Sequence, residues 1–161
     1  MPTDIAGTRA GLDAFAERVN DATRRTVAGA ADIYKLHAAL NAPVGDPENS
    51  TNPPGDLAAS MIATEPVGGG GTWASDVGPT VETVHPGPGG TVFNYGRQRE
   101  FGGLLWAKSS IYLTFKSFGM WHQRLFVYQE GSYYLTRARE EGSDEIDALI
   151  TAELTAAVNG A

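Results

Sequence analysis

LDAFAERVNDATRRTVAGAADIYKLHAAL, residues 12–40, is the stretch that decides the fold. The positions Leu12, Phe15, Val19, Ala22, Thr26, Ala30, Ile33, His37 and Leu40 recur by threes and fours, as one face of an α-helix requires. At about 1.5 Å per residue such a helix is roughly 40 Å long, more than a compact domain of this size needs. Thr26, His37 and several alanines weaken the stripe. Two arrangements satisfy it: a helix lying across a sheet, or a helix with part of its apolar face packed on a neighbouring subunit. Gly29 marks an expected kink, because glycine inside a helix costs about 1 kcal/mol relative to alanine. The helix must end near Asn41, before Ala42 and Pro43.

Beyond that helix the chain changes character. Residues 43–55 are dense in proline, glycine and asparagine and lack periodicity, which predicts a long loop, mobile in the free subunit. Residues 57–62 read as a short helix or a helix-to-strand transition. Four segments, 73–78, 90–95, 110–116 and 123–129, are rich in β-branched and aromatic residues and are bounded by glycine or proline, the pattern of strands. Gly68 to Gly71 and residues 85–90 are turns between them. Ser132 is placed to cap a short helix through Arg139. Ser143, followed by Asp144 and Glu145, is placed to cap a last one, with Ile146, Leu149, Ile150, Leu154, Ala157 and Val158 at helical spacing. The expected fold is therefore a single α+β domain over residues 1–161: a long N-terminal helix, a small twisted antiparallel sheet and two short C-terminal helices.

The 161 residues contain no cysteine, which excludes disulfides and thiolate metal sites. The N-terminus lacks the basic patch and apolar core of a signal peptide, and no apolar run approaches the roughly 20 residues of a membrane span, so a soluble protein is expected. The net charge of −7 is unevenly placed. Residues 1–40 balance, whereas after Arg139 the chain carries Glu140, Glu141, Asp144, Glu145, Asp147 and Glu153 with no base. Such a surface repels a phosphate backbone, because affinity for DNA depends on Lys and Arg displacing counterions.

No spacing in the chain supports catalysis, a metal or a cofactor. His37, His85 and His122 form no i, i+4 pair, so zinc would have to be assembled wholly by tertiary folding. The run Gly68 to Gly71 lacks the lysine and following helix of a phosphate loop. Ser60, Ser75 and Ser109 have no nucleophile turn and no neighbouring base. Carboxylate pairs at Glu140-Glu141 and Asp144-Glu145 sit in a solvated acidic run. Arg97, Arg99 and Glu100 make the one compact charged cluster in a glycine-rich, apolar setting; they are either exposed and weakly paired, or Glu100 meets an arginine of an adjacent subunit in a register-setting contact.

Three short segments remain: Gly55-Asp56-Leu57-Ala58-Ala59-Ser60, Tyr95-Gly96-Arg97-Gln98-Arg99-Glu100-Phe101-Gly102-Gly103, and Tyr133-Tyr134-Leu135-Thr136-Arg137-Ala138. They read as backbone devices, with Asp56 an expected helix N-cap and Gly102-Gly103 a helix end. In this order, after a long helix and before an acidic one, the chain resembles the neck or tail-completion proteins of long-tailed bacteriophages over residues 30–160. Gly55, Asp56, Leu57 and Ser60 match that family's loop-to-helix opening, Tyr95, Glu100, Phe101 and Gly102 its Tyr-x(n)-Glu-Phe-Gly segment, and Tyr134, Leu135 and Ala138 its late aromatic-to-helix signal. The stretch Trp106 to Trp121, longer and more aromatic than the family pattern, and the charges between Tyr95 and Glu100 depart from it.

The resemblance implies a structural, non-enzymatic virion protein, assembled in the host cytoplasm as a hexameric or dodecameric ring of the neck. Its partners would be head-completion or adaptor proteins and tail-tube proteins, with DNA passing through unbound. Asp56, Leu57, Tyr95, Arg97, Arg99, Glu100 and Phe101 would lie at the subunit interface, since Phe101 has little local core to enter. Glu140, Glu141, Asp144, Glu145 and Asp147 would face the channel, or else solvate the outer face of a terminal helix. A tail terminator capping the tail tube is the alternative in the same class, and a non-viral ligand- or peptide-binding module the alternative outside it.

Overall fold

A computed structural model describes residues 5–45, 54–80, 85–86, 92–93, 95–106, 112–117 and 119–160. Most of the expected loop 43–55 lies outside the described residues, as does most of the turn 85–90. The chain is mixed α+β. Helix α1 (Ile5–Asn41) is followed by α2 (Asp56–Ala59), strands β1 (Met61–Ala63), β2 (Val67–Gly69), β3 (Thr72–Ala74), β4 (Val77–Pro79), β5 (His85–Pro86) and β6 (Val92–Phe93), helix α3 (Tyr95–Phe101), strands β7 (Gly102–Trp106), β8 (Leu113–Ser117), β9 (Met120–Arg124) and β10 (Phe126–Glu130), and helices α4 (Tyr134–Glu141) and α5 (Ser143–Asn159). Strand pairing takes the form of two-stranded ribbons, β1 with β4, β2 with β3, β5 with β6, β8 with β9 and β7 with β10.

The strand segments read from the sequence are cut differently by this pairing. Residues 73–78 divide between β3 and β4, and residues 123–129 between β9 and β10, with a bend at Leu125. Alternation marks a pleated segment but carries no information about which neighbour it bonds to. Of residues 90–95, the described ones are the two-residue β6 and Tyr95, where α3 begins.

The chain divides into two compact units. The first comprises residues 1–34, 63–77 and 142–161. Here α1 and α5 run antiparallel: Arg18 Nε donates to the Ala157 carbonyl at 3.4 Å, Arg25 pairs with Glu153 at 2.9 Å, and Gly29 lies against Leu149. A Cβ on Gly29 would meet Leu149 Cδ2 at 2.6 Å. Helix α1 is continuous there, and Gly29 permits this close helix approach. Ala22, Thr26, Ala31 and Ala157 are buried. Strands β2 and β3 form a hairpin in which Gly69 pairs with Thr72, and the two intervening residues have positive φ, 61° at Gly70 and 83° at Gly71. That is the turn whose twist matches paired strands, and only glycine adopts both positions without strain. Asn20 of α1 holds the hairpin, its Oδ1 accepting from Gly71 N at 3.0 Å and Trp73 Nε1 at 3.1 Å.

The second unit comprises residues 35–62 and 78–141. Among its described residues the buried apolar ones are Ala38, Ala42, Leu57, Met61, Tyr134 and Ala138. Residue Gly55, at φ 85°, precedes α2 as its cap, so Asp56 is the first helical residue and not the expected N-cap. Likewise α5 is preceded by Gly142 with no side-chain cap, which corrects the expectation for Ser143. His37 on α1 places Nδ1 3.7 Å from Glu141 Oε2, and Asn41 Nδ2 donates to the same oxygen at 2.5 Å.

The expected stripe of α1 is covered only in its middle. Residues 5–18 are all exposed, Leu12 at 63% and Phe15 at 39%, as is Leu40 at 73%. Within the covered part, the buried Thr26 hydroxyl finds no hydrogen-bond partner among the described residues. Leaving such a group unsatisfied costs about 1–3 kcal/mol, whereas valine has the same shape and a similar helix propensity. Thr26→Val is expected to stabilise the protein by about 1 kcal/mol, read as a higher urea midpoint; an unchanged or lower midpoint would show that the hydroxyl is satisfied in solution.

Candidate functional site

Two of the three segments singled out from sequence come together in the second unit. Helix α3 stops at Phe101 because Gly102 takes a left-handed conformation, φ 67°, and Gly103 follows at φ 128°. The chain then runs directly into β7, which pairs antiparallel with β10 so that Gly102 faces Glu130 and Gly103 faces Gln129. A Cβ on Gly102 would collide with the Gln129 carbonyl, and one on Gly131 would sit 2.6 Å from the Glu100 carbonyl. Glycine at both positions lets the α3 end and the β10 end approach backbone to backbone.

That approach sets the entry to α4. Ser132 donates from both its backbone N and its hydroxyl to the Arg99 carbonyl, each at 2.7 Å, and Tyr133 N donates to the Glu100 carbonyl at 3.1 Å. Tyr133 itself has φ 51°, a left-handed conformation that is uncommon outside glycine and asparagine. Ser132 therefore ties α3 to α4 and does not perform the expected capping.

The cap comes from elsewhere in the chain. Glu100 is 2% exposed, and its carboxylate accepts from Leu135 N at 2.8 Å, Thr136 N at 3.1 Å and Thr136 Oγ1 at 2.8 Å. A helix start leaves four N–H groups without partners and carries a partial positive charge. Tyr133, the residue preceding α4, has no acceptor side chain placed to serve them. Glu100 supplies both the acceptors and the compensating charge from 35 residues upstream. Beside it, Tyr134 is fully buried, with its hydroxyl 3.4 Å from the Gly96 carbonyl. Arg99 is held by Gln129: with the amide oxygen turned toward it, the guanidinium donates at 2.8 and 3.3 Å. Arg137 donates to the Ser132 carbonyl.

These placements correct part of the expected interface. Glu100 is consumed within its own chain and is not presented to an arginine of an adjacent subunit. Leu57, 2% exposed, belongs to the core of its unit. Asp56 and Arg97 are exposed, Arg99 is half-buried against Gln129, and the side chain of Tyr95 lies outside the described residues. Phe101 is 61% exposed, directly beside the buried Glu100. In the ribbon that follows, Leu104 lies opposite Tyr128, and Phe126 is two residues from Tyr128, so all three share one face. All three are about half-exposed or more. Sequence reasoning named Phe101 but missed this ribbon face. The usable signal was the Phe126-Val127-Tyr128 alternation opposite Leu104, which needs the strand register to be seen.

The acidic residues Glu140, Glu141, Asp144, Glu145 and Asp147 are all exposed. Among the described residues no group of three or more His, Cys, Asp or Glu gathers as a metal site, and no helix is long and apolar enough to cross a membrane. The Glu100 carboxylate, with both oxygens engaged by backbone and hydroxyl donors, fixes the start of α4. Comparison with family models, with curated proteins and with solved structures returns no match.

Glu100→Ala removes three hydrogen bonds to a buried charged group, and Glu100→Gln sets an amide N–H₂ against a donor. Both are expected to lower stability, the alanine variant by roughly 3 kcal/mol, while the exposed control Glu140→Gln stays within about 0.5 kcal/mol. Urea unfolding measures the difference, and amide exchange at Leu135 and Thr136 should accelerate selectively in both Glu100 variants.

Proposed function

We propose that this chain is a structural subunit of a bacteriophage neck, a non-enzymatic protein that self-associates into a ring joining head-completion proteins to the tail. The observation that carries the reading is the exposed apolar face Leu104, Phe126 and Tyr128 on the β7–β10 ribbon, which starts right after the exposed Phe101 and the buried Glu100 junction. Large apolar side chains scattered singly on a surface need no explanation, but a contiguous set on a fixed scaffold marks an interaction site. The residues that build the scaffold are those that resemble the family's Tyr-x(n)-Glu-Phe-Gly and late aromatic segments. In this reading Glu100 faces inward as anchor, Phe101 is the outward contact, and Gly102 turns the chain from α3 into β7 directly after them.

The exposed acids of α4 and α5 fit a conduit through which DNA passes without binding, since carboxylates repel phosphates. Burying a phenylalanine side chain contributes about 1.5–3 kcal/mol, and 1.4 kcal/mol is a factor of ten in an association constant. Phe101→Ala is therefore expected to raise the concentration needed for ring assembly about 10- to 100-fold while leaving the melting temperature of the isolated subunit nearly unchanged. Light scattering after size exclusion and electron microscopy of the recombinant protein read both. A wild-type chain that is monomeric at all concentrations, alone and with tail-tube protein, would overturn the proposal.

A further inference from the structure

Among the described residues the β7–β10 ribbon is a sheet of two strands, paired one to one from Phe126 and Trp106 to Glu130 and Gly102 without a bulge. Two strands alone are marginal in water; a third strand or a packed layer is what makes such a ribbon stable. An open strand edge also offers a row of backbone donors and acceptors to another strand, and proteins blunt such edges with lysine, proline or a bulge. Strand β10 has none of these. Its sequence, Phe126-Val127-Tyr128-Gln129-Glu130, is rich in the aromatic and β-branched residues that favour pairing. Strand β7 is the poorer edge, because it leaves α3 through Gly102 and Gly103, both at positive φ.

Charge along this stretch is separated. From Gly102 to Gln129 the chain has no acid, and its Lys and Arg residues are Lys108, Lys116 and Arg124; Glu130 then closes the ribbon. Arg124, exposed, stands at the end of β9, across the bend at Leu125 from β10, and Glu130, also exposed, stands at the far end of β10. Neither forms an ion pair within the chain among the described residues. Arg99 of α3 is held by Gln129, whose side chain leaves the face opposite to that of Tyr128 and Glu130.

We propose that β10 of one copy pairs antiparallel with β10 of a second copy about a two-fold axis at Val127, so that two ribbons become one sheet in the order β7, β10, β10, β7. In this register Val127 faces Val127, Phe126 of each copy faces Tyr128 of the other, and Glu130 of each copy lies level with Arg124 of the other. The cross-strand pairs are aromatic on aromatic and acid on base, both favourable. Other pairings lose this. A two-fold axis at Tyr128 sets Phe126 against Glu130, and parallel pairing in register sets Glu130 on Glu130 and Arg124 on Arg124. The exposed Leu104, Phe126 and Tyr128 of the two copies then share one face of the joined sheet. The contact is isologous and joins copies in twos. The inference rests on the self-association proposed above and gives the ribbon's part in it a register.

The chain has no cysteine, so engineered ones report alone. Val127→Cys is expected to form a disulfide-linked dimer with itself on oxidation. Phe126→Cys and Tyr128→Cys are expected to link to each other in a mixture roughly tenfold more than either links to itself, since like positions stand diagonally and out of disulfide reach. Arg124→Glu and Glu130→Lys each set like charges across the axis and are expected to raise the dissociation constant about tenfold, and the double variant to restore it, as read by light scattering. These two exposed positions keep the test open where a cysteine variant fails to fold. Self-linking of Phe126→Cys or Tyr128→Cys above the mixture, or a double charge variant no tighter than the single ones, overturns the inference. Wild-type rings in which Val127→Cys stays unlinked overturn it while leaving the neck reading intact. A strictly monomeric wild type overturns both.

Discussion

The second unit depends on one carboxylate. With Glu100 in place, the N-terminus of α4 is satisfied, Tyr134 is seated and the end of α3 is fixed to the start of the β7–β10 ribbon. Without it, two backbone N–H groups and a threonine hydroxyl lose their acceptor in a part-buried place where water is a poor substitute. The glycines at Gly102 and Gly131 serve the same end, because only bare backbone brings these chain segments close enough for the carboxylate to reach.

The distribution of apolar mass explains why so much is asked of polar contacts. Among the described residues most of the buried apolar side chains are alanines: Ala22, Ala31, Ala38, Ala42, Ala138 and Ala157, with Leu57, Met61 and Tyr134 the larger ones. Many large apolar side chains are exposed, among them Ile5, Leu12, Val67, Trp121 and Tyr128. Alanine removes little area from water, so these residues contribute little hydrophobic stabilisation.

Sequence reading succeeded where the signal is local and periodic. The end of α1 at Asn41, the end of α3 at Gly102 and the extent of α5 all follow from helical spacing and glycine chemistry, whereas α1 begins at Ile5, ahead of the Leu12 from which its periodicity is read. It failed where a local rule competed with a tertiary partner. Ser132, Ser143 and Asp56 are good capping residues by type, yet Ser132 bonds to Arg99, and Gly142 and Gly55 take the cap positions before the other two. Glu100 was legible as unusual, a charge among glycines and aromatics, but its partner is 35 residues away and no spacing rule connects them. Leu57 and Phe101 were both assigned outward by the same motif logic. Only burial separates them, one in the core and the other exposed.

The glycine hairpin of β2 and β3 has a consequence in time. Its two-residue turn sets its own register and needs no distant segment, and hairpins of this kind close in about 1–10 μs. The Asn20 clamp that fastens it spans 51 residues, and the α1–α5 pairing joins the two ends of the chain. Loop closure over such separations is slower and costs chain entropy before any contact repays it. The first unit therefore has an early local piece and a late global one. Until α5 has been synthesised and has docked, the face of α1 from Ala22 to Gly29 remains as bare as its first turns.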